Sequence, residues 1–115
     1  MVHENDDTGD ALRRLEAEGD DLSRARDIDF TVVFPNEFTA EKFAEHFRQA
    51  GYRSTIRLSQ VKESHPWDVL VVKHMVPSHS AITEFERELQ DCADTHGGRN
   101  DGWGCFSEPG QVAHA

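Results

Sequence analysis

The sequence predicts an α+β fold, a ferredoxin-like βαββαβ sandwich whose four-stranded antiparallel sheet carries both helices on one face, with an extra acidic helix at the N-terminus. Two observations lead to this prediction. Segments with helical or alternating apolar spacing follow one another in the order helix, strand, helix, strand, strand, helix, strand. The first and third strands are also the most apolar, which is typical of the central strands of a sheet. In this topology we expect those two strands to form a parallel pair.

The N-terminal helix is predicted to span Asp10–Glu18. Leu12 and Leu15 lie on one face of it, and Gly19 ends it. This apolar face is too narrow to stabilise an isolated helix in water. The helix therefore needs a partner to pack against.

The first strand is predicted at Ile28–Phe34, because apolar side chains alternate along it. Thr39 is the predicted N-cap of the helix that follows. Phe38 and Phe43 flank this cap with the spacing of a hydrophobic staple. Gly51 ends the helix.

The second strand is predicted at Tyr52–Leu58, with Arg53 and Arg57 on one face. Charged side chains at such positions protect an edge strand from pairing with another sheet. The third strand is predicted at Trp67–Val76. Its centre is apolar on both faces, as expected for a central strand.

The last helix is predicted to begin after Ser78, a good N-cap residue, and the fourth strand to run from Trp103 to Ser107. Apolar residues recur along this helix at intervals of three and four. The predicted core consists of Phe30, Val32, Phe43, Phe47, Phe85 and Leu89.

The sheet face opposite the helices is predicted to be open. It would show Val33 and half of Val69–Val72, with Trp67 or Val76 depending on the register. An open apolar face needs a cover. The candidates are the N-terminal helix, a second copy of the chain, or a protein partner.

The chain of 115 residues is predicted to contain an acidic helical segment at 1–26, a ferredoxin-like domain at 27–107 and a loose tail at 108–115. The net charge is −10, and residues 1–29 hold 10 acids against 4 bases. Such a charge disfavours nucleic-acid binding over the whole surface. It suits a basic, arginine-rich partner, although a purely solubilising role also explains it. The candidate protein-binding acids are Asp6, Asp7, Asp10, Glu16, Glu18, Asp20 and Asp21.

Residues capable of chemistry form no recognisable catalytic or metal pattern. His74 and His79 are five apart, which matches neither a helical ligand pair nor a zinc motif. Cys92 and Cys105 are expected to be core residues and not a redox pair. We therefore expect no enzymatic activity, no metal and no cofactor. The N-terminus has no apolar signal region and no stretch is long enough to span a membrane, so a cytoplasmic location is expected.

Several short motifs, taken in their order and spacing, resemble the family known as regulator of ribonuclease E activity, type B. They are the run Asp27 to Pro35, Ala50 to Tyr52, Trp67 to Pro77, and Gly97-Gly98 with Asp101-Gly102-Trp103. Together they span roughly Asp27 to Phe106. The last of these motifs is the family signature. Its Trp103 has two readings, as an anchor for the last strand or as an interface hot spot.

The resemblance implies a small cytoplasmic protein that inhibits ribonuclease E by binding its non-catalytic scaffold region. It also implies an acidic N-terminal helical segment, which the seven candidate acids preserve. A homodimer through the open sheet face is a further possibility from the fold. The alternative function is a small ligand-binding module or enzyme on the same scaffold, because this fold hosts many activities.

Overall fold

The computed structural model describes residues 7–59 and 64–105, with only the backbone described at Cys105. Three helices and four strands follow one another in the predicted order. They are α1 (Asp7–Ala17), β1 (Arg26–Phe34), α2 (Glu37–Gln49), β2 (Arg53–Leu58), β3 (Trp67–Met75), α3 (His79–Asp94) and β4 (Arg99–Cys105). The α+β class and the four-stranded antiparallel sheet are thereby confirmed.

The strands lie in the order β2-β3-β1-β4, so β1 and β3 are central as predicted. Their predicted parallel pairing is wrong. Arg26 faces Met75 at one end of the pair and Phe34 faces Trp67 at the other, which is an antiparallel register. The reason lies in the connections. The α2 crossover makes β2 parallel to β1, and β3 lies between these strands and runs against both.

The α2 helix begins earlier than predicted, because Asn36 and not Thr39 is its N-cap. The Asn36 side chain accepts a hydrogen bond from the backbone N–H of Thr39 at 2.9 Å. Phe38 therefore falls in the first helical turn and is 70% exposed, so it forms no hydrophobic staple. The Lys42 ammonium lies 5.3 Å from the centre of its ring.

The β4 strand also begins earlier than predicted, at Arg99 and not at Trp103. Asn100 faces Val32 and Trp103 faces Phe30, so β4 has one extra residue between these pairs. This is a β-bulge, and Gly102 supplies the positive φ of 107° that it requires. The Asp101-Gly102 pair thus lies inside the strand and does not form a turn before it.

All six residues of the predicted core are buried. The Phe30 ring of β1 meets the Phe85 ring of α3 edge to face, with centroids 4.8 Å apart. The Phe34 ring lies 4.9 Å from Phe43 of α2, and Phe47 joins the two helices through Phe85 at 6.2 Å. One aromatic cluster therefore links β1 to both helices.

The α1 helix packs with α3 and β4. Leu12 is fully buried in the same cluster as Phe30 and Phe85, and the Trp103 indole N–H donates to the Thr8 hydroxyl at 3.3 Å. The α1 helix therefore adds to this core and does not lie across the opposite sheet face. None of the helices in the described ranges is long and apolar enough to cross a membrane.

The sheet face opposite the aromatic cluster is mixed in character. Among the strand residues that the structure describes, Leu70 and Val72 give it a partly exposed apolar centre, because the register places Trp67 beside Phe34 on the core side. Val76, just after β3, is 46% exposed. Val33 is fully buried. The ion pairs Arg57–Asp68 at 3.1 Å and Arg53–Asp27 at 3.6 Å lie on this face, and a ring nitrogen of His74 lies 3.0 Å from the Asp27 carboxylate.

Candidate functional site

An open groove of about 480 Å³ lies where the first turn of α1, the middle of α3 and the β4 bulge meet. Its lining includes Asp7, one of the candidate acids, together with part of the predicted signature motif. Its lining residues are Asp7, Thr8, Ala11, Glu86, Asn100, Asp101, Gly102 and Trp103.

Trp103 forms one wall of this groove. Beyond the bulge at Gly102, β4 pairs with β1 so that Trp103 faces Phe30. The Trp103 ring packs partly against the core. The hydrogen bond to Thr8 fixes the edge that carries the indole nitrogen. The ring is thus half-buried, packed partly against the core and bonded to Thr8, and it lines the groove.

Glu86 and Asn100 also line the groove. The Asn100 side-chain amide donates to the Glu86 carboxylate at 2.9 Å, and the Asn100 backbone N–H donates to the Gln90 side chain at 2.7 Å. Gln90 also donates to the Gly98 carbonyl at 3.2 Å. These bonds tie α3 to the start of β4 and position the Glu86 carboxylate.

The signature motif divides into two structural roles. Gly97 ends α3 with a φ of 74°, a region that glycine enters at little cost. A side chain at Gly98 would overlap the Phe34 ring, so glycine is required there for close packing. These two glycines build the fold, whereas Asp101, Gly102 and Trp103 line the groove.

The groove carries negative charge. Three carboxylates line it, from Asp7, Glu86 and Asp101, and no arginine, lysine or histidine is among the lining residues that the structure describes. Carboxylates close together favour a cationic group between them.

The candidate acids of the N-terminal segment do not form one surface. Asp10 and Glu16 on α1 are exposed, as is Glu18 just after this helix, and Asp10 pairs with Arg13. Asp7 alone among the candidate acids lines the groove. Asp6 lies outside the described residues.

Asp20 and Asp21 have structural partners. The Asp20 carboxylate is buried in an ion pair with Arg26 at 2.7 Å, with neither side chain more than 2% exposed. Asp21 accepts hydrogen bonds from the backbone N–H and the hydroxyl of Ser23, which hold the pKa of its carboxyl below the usual value. Asp20 is therefore not part of an exposed acidic surface.

Sequence reasoning missed the roles of Glu86, Asn100 and Thr8. Glu86 is one of several acids along α3, and Asn100 precedes the predicted start of the last strand at Trp103. Asn100 reaches the groove because β4 begins at Arg99 and contains the bulge.

Metal binding has no support in the part of the chain that the structure describes, where no group of three or more His, Cys, Asp or Glu side chains has suitable geometry. His74 contacts Asp27 on the exposed sheet face, far along the chain from the groove residues. Burial, with a contribution from Glu88, raises the pKa of the Cys92 thiol, which makes it a weaker nucleophile.

The family model for regulator of ribonuclease activity B, RraB, matches residues 5–105. The chain belongs to the RraB family. The matched range contains every residue that lines the groove, as well as the whole sheet. The resemblance inferred from the short motifs is thereby confirmed, and it extends to α1. A comparison with curated proteins finds no match.

Membership of the RraB family makes this chain a regulator of ribonuclease activity, and the family is a regulatory one. The groove joins an aromatic side chain to three carboxylates. Aromatic residues are enriched among the anchors of protein interfaces.

Proposed function

We propose that this RraB family protein inhibits ribonuclease E by binding its non-catalytic region, and that it performs no chemistry of its own. The observation that carries the proposal is the acidic groove beside Trp103 in a chain whose family regulates ribonuclease activity. In this account the partner contributes a basic, arginine-rich segment, and nucleic acid does not bind the protein directly.

The charge distribution supports a basic partner. Residues 1–29 hold a net charge of −6, from 10 acids and 4 bases, and α1 places Asp7 at the groove. Asp10 and Glu16 on α1, and Glu18 just after it, are also exposed and add negative charge to the surface of the N-terminal segment. Such a surface speeds the encounter with a basic segment, while buried contacts set the lifetime of the complex.

The remaining parts of the proposal concern the fold, the location and the oligomeric state of the protein. The strand order and the aromatic cluster support a ferredoxin-like arrangement with α2 and α3 on one face. For this proposed role the protein has to be in the cytoplasm, where the sequence also predicts it. The mixed sheet face around Leu70 and Val72 is the surface through which two copies would pair if the protein forms a homodimer.

The exposed acids of α1 are expected to control the association rate. In a variant carrying Asp7→Asn and Asp10→Asn, association with ribonuclease E should slow by roughly tenfold at low salt, because electrostatic steering weakens. Its dissociation rate should change less. Association rates measured by surface plasmon resonance across a range of salt concentrations would give both the rate and the salt slope.

The matched control carries Glu37→Gln and Glu45→Gln, which remove the same charge from exposed positions on α2. This control should keep most of the wild-type rate. Equal slowing in both variants would mean that net charge alone governs the encounter and that α1 presents no binding surface.

A further inference from the structure

We propose that the groove binds one arginine side chain of the partner, with its guanidinium stacked on the Trp103 indole and hydrogen-bonded to the carboxylates of Glu86 and Asp7. This inference rests on the proposed function, since it names the group through which a basic partner segment is recognised. It makes Trp103 and Glu86 specificity-determining residues.

The aromatic wall favours a flat cation. A guanidinium stacks on an aromatic ring and is held by both dispersion and the attraction of the cation to the ring face. Trp103 is suited to this contact, because core packing and the bond to Thr8 already fix its orientation. Little conformational freedom is lost at the ring when the ligand binds.

Glu86 and Asp7, which line the same groove as Trp103, supply hydrogen-bond acceptors. Asn100 holds the Glu86 carboxylate by one oxygen, and a carboxylate has lone pairs for several further hydrogen bonds. Asp7 lies at the start of α1 on the same groove. Arginine can donate to two acceptors at once through its planar fork, whereas a lysine ammonium is a point charge that stacks less well.

The charge of the groove argues against the other classes of ligand. Three carboxylates repel the phosphates of nucleic acid. A cationic side chain is the occupant that complements this surface.

The test uses two synthetic peptides, acetyl-Gly-Ser-Arg-Gly-Ser amide and the same peptide with lysine in place of arginine. Each is titrated into the ¹⁵N-labelled full chain while the Trp103 indole N–H and Asn100 side-chain amide signals are followed by NMR. The arginine peptide should shift both signals saturably, and the lysine peptide should bind several-fold more weakly. Glu86→Gln should weaken arginine-peptide binding about tenfold, because it removes a charge-assisted hydrogen bond.

The control is Glu84→Gln, which removes one charge from an exposed position on the same helix and should leave peptide affinity within twofold of wild type. Trp103→Phe keeps an aromatic ring in the core and should weaken binding of the arginine peptide more than that of the lysine peptide. Equal affinity for the two peptides would overturn the proposal, because the groove would then respond to charge alone. Signals that shift with protein concentration in the absence of peptide would also overturn it, since a second copy would be the occupant.

The peptide titration, combined with a ribonuclease E binding measurement, separates this inference from the proposed function. If neither peptide perturbs the groove while the protein still binds ribonuclease E, the groove proposal fails and the regulatory proposal stands. If the arginine peptide binds as expected while ribonuclease E does not bind, the groove proposal holds and the identity of the partner is wrong.

Discussion

Replacing Phe85 by alanine should lower the free energy of unfolding by about 3–5 kcal/mol, the range for truncating a buried aromatic residue. Phe85 is 2% exposed, and its ring contacts Phe30, Phe47 and Tyr52. The Lys73 ammonium also lies 4.4 Å from its ring centre. The loss would leave a cavity between α3 and the sheet, and urea unfolding followed by circular dichroism would measure it.

Phe38→Ala is the matched control, because it makes the same chemical change on α2 at a ring that is 70% exposed. It should alter the unfolding free energy by no more than about 0.5 kcal/mol. Similar losses at the two positions would contradict the assignment of the core.

Breaking the buried ion pair between Asp20 and Arg26 should also be strongly destabilising. The Arg26 guanidinium donates to Asp20 and to the backbone carbonyls of Asp21 and Arg24. It therefore holds the segment between α1 and β1 in place. Asp20→Asn should cost about 3–5 kcal/mol, because it leaves a buried charge without its counter-ion. The same urea unfolding experiment gives the value.

Glu18→Gln is the control for this pair, since it removes one negative charge from an exposed position two residues away. It should change the unfolding free energy by less than about 0.5 kcal/mol. The double variant Asp20→Leu with Arg26→Met should be more stable than Asp20→Asn, because neither buried charge then remains. If the double variant were as unstable as Asp20→Asn, the pair would stabilise the fold through the packing of its side chains and not through their charges.

The order of elements and the core could be predicted because both depend on apolar spacing. The alternation along β1 and the stripe on α3 specify which side chains face inward, and the structure buries those residues. The apolar run in β3 likewise identified a central strand. Strand direction depends on the connections between strands, and the direction of β1 relative to β3 was predicted wrongly for that reason.

Residues with competing local roles were harder to predict. Asn36 and Thr39 both have side chains that cap helices, and the structure uses Asn36 as the cap while the Thr39 hydroxyl donates to its carbonyl. The Asp20 carboxylate resembles its acidic neighbours in sequence, yet its pairing with Arg26 depends on how the connector folds back.

The groove was the least predictable feature. Its walls come from Asp7, Glu86 and the β4 bulge, which are far apart along the chain. No periodicity or motif brings these segments together. Only the early start of β4 at Arg99 and the packing of α1 beside α3 do so.

The proposed inhibition is tested most directly by the rate at which ribonuclease E cleaves a fluorescent RNA in the presence of the full chain. Two forms of the enzyme are compared, one intact and one lacking the non-catalytic region. The protein should slow cleavage by the intact enzyme in proportion to its binding, leave the shortened enzyme unaffected, and cleave no RNA by itself. Equal inhibition of both forms, or RNA cleavage by the protein alone that is lost in His74→Ala, would contradict the proposal.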